Sequence, residues 1–225
     1  MPALTKVTES NLVNSVINPL KAVFNTDTAI KEFTAGYGIA DIVFPYNFLT
    51  GDNLLSRNPL DNYYALLAYL SFKGLEDKTR EELYVEFDYL SQTKVNSLIR
   101  LLLNYGYIAE RAKNVFTRTD DDSSNPIKKI IAVEAKLSDY KNGLIQARRY
   151  KYFADECYVA LSKDFSENIP INQFVESNIG LIIYDVYKGE IDKILYPQQP
   201  NNLLDFRYNS FAKELILSKL NAKVF

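Results

Sequence analysis

In the run Ile130-Ile131-Ala132-Val133-Glu134-Ala135-Lys136-Leu137, a glutamate and a lysine stand two residues apart in otherwise apolar company. Alternate side chains of a β-strand share a face. Glu134 and Lys136 therefore project together, while Ile131, Val133, Ala135 and Leu137 point the other way, into a core. Burying a charge is costly unless it is paired or holds a metal, so a specific partner is expected on that face. A second carboxylate, Asp41, occupies a similar setting in Ile39-Ala40-Asp41-Ile42-Val43-Phe44. Two carboxylates brought together repel one another and favour a hard divalent cation, Mg²⁺ or in its place Mn²⁺. A lysine ammonium is a compact charge suited to a developing phosphorane or to orienting a water. Carboxylates, cation and lysine make a complete set for phosphodiester hydrolysis. A purely structural ion pair is the other reading of the same residues.

The rest of the composition narrows the chemistry. The chain has 225 residues and no histidine, which removes imidazole bases, His triads and His–Zn sites. Its single cysteine, Cys157, cannot close an internal disulfide; it reads as a small buried residue, and the expected location is the cytoplasm. No apolar run is long enough to span a membrane, and the N-terminus lacks a secretory pattern. A hydrophobic fraction of 47% and a net charge of −2 are those of an ordinary globular protein. Nucleic acid stays open as a partner, because affinity follows local Lys/Arg placement rather than the sum.

The elements that must position these residues follow from periodicity. Residues 8–24 read as an amphipathic helix capped by Thr8 or Ser10, with Leu12, Val16, Leu20 and Val23 at helical spacing. Thr34 to Pro45 reads as a strand pair carrying Asp41 in its second strand. Strands are expected at 127–137, 157–161, 179–187 and 191–196, with helices at 142–154, 171–176 and 209–220. Tyr140 and Lys141 read as loop. The stretch 58–119 differs in texture: a helix over 60–72, a capping box at Thr79-Arg80-Glu81-Glu82, a helix over 91–104 ended by Gly106, then a hairpin over 107–118. Residues 120–125 form a polar connector. The expected division is 1–57 with 120–225 as one domain and 58–119 as an insertion.

Asp41 followed, after that insertion, by Glu134-x-Lys136 resembles the Asp…(Asp/Glu)-x-Lys signature of the PD-(D/E)XK nuclease superfamily. Gln146-Ala147-Arg148-Arg149-Tyr150 resembles the Gln-x-x-x-Tyr element that follows this strand in one branch. Gln146 and Tyr150 are four apart and share a helical face. The resemblance covers about residues 8–55 and 126–196; Ala40 stands where the nominal proline would be. It implies an α/β, restriction-endonuclease-like mixed sheet flanked by helices. Asp41 and Glu134 would be metal ligands, Lys136 the charge stabiliser, and Gln146 and Tyr150 supports of the site. Glu9, and less so Glu32, are candidates for a further carboxylate.

Three helices followed by a hairpin are the order of a winged helix-turn-helix. Its third helix offers Lys94, Asn96 and Arg100, with Gln92 and Thr93, to base edges and phosphates, and its hairpin offers Arg111, Lys113, Asn114 and Arg118. Arg148 and Arg149, with Lys151, form a second basic patch. The expected function is a Mg²⁺-dependent DNA endonuclease, duplex rather than single strand, for which a homodimer is a plausible form. The alternatives are a catalytically inactive nuclease-like DNA-binding or regulatory protein, and an assembly subunit whose insertion binds protein.

Overall fold

Strand alternation and helical periodicity are both realised in the computed structural model of the chain, which describes residues 7–46, 58–74, 76–119, 125–198 and 203–222. The first stretch forms α1 (Glu9–Val23), β1 (Ile30–Thr34) and β2 (Ile39–Tyr46). Next come α2 (Tyr63–Leu70), β3 (Lys78–Thr79), α3 (Arg80–Glu86), α4 (Gln92–Asn104), β4 (Ile108–Ala112) and β5 (Val115–Arg118). The chain returns through β6 (Lys129–Lys136), α5 (Tyr140–Tyr150), β7 (Glu156–Ser162), α6 (Ile171–Ser177), β8 (Gly180–Asp185), β9 (Glu190–Leu195) and α7 (Phe206–Asn221).

These residues fall into two compact units, Met1–Phe48 with Ile127–Ala212, and Leu49–Pro126 with Lys213–Phe225. The C-terminal stretch is expected with the first unit, but from Lys213 on it groups with the inserted one, where buried Glu214 accepts the Leu60 N–H at 2.9 Å and Asp61 accepts the Ser218 hydroxyl at 3.1 Å. Residues 120–124 of the expected connector lie outside the described residues.

The first unit is α/β: a mixed six-stranded sheet in the order β1-β2-β6-β7-β8-β9, with helices packed on it. β6, β7 and β8 run parallel, and the outer pairings are antiparallel. Thr8 opens α1 with a capping box completed by Asn11. That helix lays Leu12, Val16 and Leu20, with Phe24 just past its end, over Ile42 and Phe44 of β2 and Ile131, Val133 and Ala135 of β6. The opposite parity of the central strands, Asp41 and Val43 on β2 and Ala132, Glu134 and Lys136 on β6, is thereby turned toward α5.

Two of the boundaries that move bear on the site. The strand pair begins earlier than Thr34, at Ile30, because Gly36 and Gly38 at φ +109° and +103° make the turn between the strands. Tyr140 and Lys141 are the first turn of α5 rather than loop, because the Asp139 side chain caps the helix by accepting the Asn142 N–H at 3.0 Å.

The second unit contains α2, α3 and α4 with a small antiparallel sheet in the order β3-β5-β4. Thr79 caps α3 through a capping box with Glu82, and Ser91 caps α4. Leu98, Ile99 and Leu102 of α4, Ala65 and Leu66 of α2, and Phe116 of β5 are buried.

Gly143 sets how closely α5 lies on the sheet. A Cβ there would come within 2.8 Å of Val159 Cγ1 and 3.4 Å of Lys136 Cγ. We expect Gly143→Ala to destabilise the protein by about 1–3 kcal/mol, the usual range for an overpacked contact. Urea unfolding measures it, and an unchanged midpoint would show that α5 is not seated on β6 and β7 in this way.

Candidate active site

The antiparallel pairing of β2 with β6 reaches Ile42 opposite Val133 and goes no further toward the β2 start. One residue on, the ladder is replaced by a side chain: Asp41 Oδ2 accepts the Ala135 N–H at 2.8 Å. The strands therefore part beside Asp41 and Glu134, which continue the same register on the same face. The apolar runs around each carboxylate enforce this. Ile42 and Phe44, with Val133 and Ala135, are fixed in the α1 core, so their neighbours have to face the other way.

Glu134 is 1% exposed, and both its oxygens are occupied. Oε1 takes an ion pair from Lys136 Nζ at 2.8 Å, and Oε2 meets the hydroxyl of Tyr150, one helix turn past Gln146 on α5. The same hydroxyl lies 2.7 Å from the Ile39 carbonyl. A tyrosine has one proton to give. Both contacts are satisfied together when Glu134 is protonated and donates to the tyrosine oxygen; when Glu134 is ionised, the proton goes to the carboxylate, the stronger acceptor. Lys136 Nζ also sits 3.7 Å from Glu9 Oε2, at the start of α1. Glu9, expected as a candidate for a further carboxylate, thus lies beside Lys136.

The electrostatics are those of a crowded, half-dry site. Burial pushes the Asp41 carboxyl above its ordinary range; the Ala135 N–H and Lys136 oppose this, and Glu9 and Glu32 add to it. Burial likewise raises Glu134 against the stabilising contacts of Lys136 and Tyr150. Burial disfavours the Lys136 ammonium, but Glu134, Glu9 and Asp41 outweigh it and hold its pKa above the usual value. Burial and Glu134 keep Tyr150 a neutral donor far above its normal titration range.

Two backbone features go beyond what was expected: the conformation of Glu32, itself a candidate carboxylate, and the packing of Gly143. Glu32, across β1 from Asp41 in the strand register, has φ +51°, a left-handed conformation that an L-residue with a side chain adopts at a cost of about 1–3 kcal/mol. Nothing in the sequence marks it. Gly143 was legible: a glycine inside a helix is unfavourable unless something approaches closely. Gln146 Oε1 is buried without a hydrogen-bond partner among the described residues, so α5 carries an unused acceptor one turn before Tyr150. Among the described residues, no three acidic, His or Cys side chains are already gathered as a metal cluster.

The basic candidates separate into free and engaged. Lys94 and Arg100 on α4, Lys113 in the turn between β4 and β5, and Arg149 on α5 are exposed. Asn96 is half-buried, and its Oδ1 accepts from Arg80 and, at 3.0 Å, from the Tyr84 hydroxyl. Arg111 lies 3.7 Å from Asp77. Arg148 donates to the Ser177 hydroxyl at the end of α6, and Lys151 to the Ser177 carbonyl. Arg118, expected on the surface of the hairpin, is instead 4% exposed; it donates to the Phe72 carbonyl and, at 2.6 Å, to the Tyr69 hydroxyl, with its guanidinium over the Tyr69 ring. Its position in β5 turns it into the core, where it binds α2 to the sheet. The chain matches no protein-family model, no curated protein and no solved structure.

A carboxyl held above its unfolded pKa stabilises the fold most at low pH, and that contribution is lost as pH rises through the folded-state value. Asp41→Asn keeps an oxygen to accept the Ala135 N–H but carries no charge. We therefore expect the variant to gain stability over wild type as pH rises above about 3.8, the ordinary value, and to show no advantage below it. Urea unfolding at pH 3.5, 5 and 7 measures this; a variant that loses ground as pH rises would contradict it.

Proposed function

We propose that this chain is a divalent-metal-dependent nuclease, with a restriction-endonuclease-like core and an inserted winged helix-turn-helix that grips duplex DNA. The observation that carries this reading is the convergence of Asp41, Glu134, Lys136 and Tyr150 on one face where β2 and β6 part. These are the residues of the Asp…Glu-x-Lys and Gln-x-x-x-Tyr patterns. The donor set fits a hard cation. Asp41 Oδ2 holds the backbone, Gln146 Oε1 is a buried acceptor with no partner among the described residues, and Glu134 is a carboxylate whose burial makes a positive neighbour necessary. Asp41 and Glu134 would hold Mg²⁺ or Mn²⁺.

When bound, the cation supplies charge neutralisation at the phosphate and an acidified water. The chain's own part is positional. Tyr150, neutral at working pH, fixes the Glu134 carboxylate by donating to it. Lys136 is shared between Glu134 and Glu9, so it can leave Glu134 for a phosphate oxygen without losing a counter-charge. The close seating of α5 at Gly143 excludes water from one side of the lysine stem.

For the insertion, the winged-helix reading is supported by the succession α2, β3, α3, α4, β4, β5 and by the sheet order β3-β5-β4, in which the short strand pairs with the far strand of the hairpin. Lys94 and Arg100 on α4 and Lys113 at the hairpin turn are the exposed cations of that unit suited to phosphate. A second reading, a nuclease-like protein that binds DNA without cutting it, is favoured by the engagement of both Glu134 oxygens within the protein.

Supercoiled plasmid incubated with Mg²⁺ distinguishes the two. We expect wild type to relax or linearise it and Lys136→Met to be slower by about 10²–10³-fold, the usual loss on removing one charge-stabilising group. Equal rates for both proteins would remove Lys136 from the chemistry, and no cleavage by wild type would favour the non-catalytic reading.

A further inference from the structure

Two residues beyond Lys136 the chain lines a cavity of about 380 Å³, separate from the carboxylate site. Its walls are the segment that leaves β6, with Ser138 and Tyr140, and the segment that leaves β7, with Asp164, Phe165, Glu167 and Asn168. β6 and β7 are adjacent and parallel, so the cavity opens outside the carboxyl ends of two neighbouring strands, where open α/β sheets bind ligands. Its volume is within the ~300–1,000 Å³ of small-ligand sites.

The lining has a definite chemistry. Phe165 is 56% exposed, an aromatic ring held in water beside the half-buried Tyr140. The side chains of Ser138, Tyr140, Asp164, Glu167 and Asn168 make no hydrogen bond or ion pair among the described residues. Among the described residues, no lysine or arginine lines the cavity, so its two carboxylates set a negative potential that repels phosphate. What suits it is an uncharged planar ring with an N–H edge: the ring to stack on Tyr140 or Phe165, the edge to donate to carboxylates.

We propose that this cavity is a base pocket. It takes the unstacked base of a nucleotide adjoining the bond presented to Lys136, and it prefers bases that carry an exocyclic amino group, which Asp164, Glu167 and Asn168 accept. The phosphodiester backbone stays outside, on the Lys136 side. This rests on the nuclease reading above, to which it adds a choice of base that neither Asp41 nor Glu134 can make.

The test is fluorescence anisotropy of labelled 12-mers of deoxycytidine and of thymidine, pyrimidines that differ in the amino group, with the full chain in EDTA at low salt. Wild type binds the cytidine oligomer about tenfold more tightly than the thymidine one. Phe165→Ala, which removes an exposed ring and leaves the melting temperature unchanged, weakens cytidine binding by about 5–100-fold, the range for loss of one base stack. Asp164→Asn with Glu167→Gln raises affinity for both polyanions but brings their ratio to about one, a change that charge alone does not produce. Binding that is equal for the two oligomers and indifferent to Phe165→Ala overturns the pocket and leaves the nuclease reading standing on plasmid cleavage. Absence of binding to either oligomer overturns the pocket, and plasmid cleavage then decides the nuclease reading separately.

Discussion

The first unit is organised around a carboxylate that has nowhere comfortable to be. Glu134 is in the middle of the sheet, almost wholly out of water, and it is held by Lys136 on one oxygen and Tyr150 on the other. A buried carboxylate without such partners would cost several kcal/mol. Much of the surrounding architecture can be traced to meeting that demand. Tyr150 requires α5 to lie across β6, which requires Gly143. The α1 core fixes the strand parity that aims Glu134 toward α5, and Lys136 finds its second counter-charge at the start of α1.

The same demand explains why the sheet is imperfect there. A continuous ladder would carry β2 past Ile42, but the side chain of Asp41 takes the Ala135 N–H and opens the strands. Glu32 adds a backbone in the left-handed region on the neighbouring strand and a like charge that raises the Asp41 pKa. An arrangement selected for stability alone would not set Glu134, Glu9 and Asp41 to act on one lysine, with Glu32 as a further like charge on Asp41. Strain and like-charge crowding of this kind concentrate at functional sites.

Much of this was legible beforehand because it rests on short-range rules. Alternation put Glu134 and Lys136 on one face, spacing of four put Gln146 and Tyr150 on one face, and Thr8, Thr79 and Ser91 announced their helices as caps. What was not legible depends on tertiary contact. The left-handed Glu32 has no sequence signature. Arg118 read as a surface cation because hairpin arginines usually are, yet its strand position directs it into the space between Tyr69 and Phe72. Asn96 and Arg148 read as free polar groups and are instead committed to Arg80, Tyr84 and Ser177. The tail of α7 was assigned by sequence proximity, whereas its buried Glu214 is matched to Leu60, far away in the chain.

On the proposed nuclease reading, the buried Glu134 carboxylate would take a divalent cation on the oxygen that Lys136 pairs with. Titration of Mn²⁺ followed by electron paramagnetic resonance, with wild type, Glu134→Gln and Lys136→Met side by side, addresses it directly. The account predicts one bound ion per chain in wild type, none in Glu134→Gln, and severalfold tighter binding in Lys136→Met, because the lysine competes with the metal for the same oxygen. Absence of binding in wild type, or weaker binding in Lys136→Met, would contradict it.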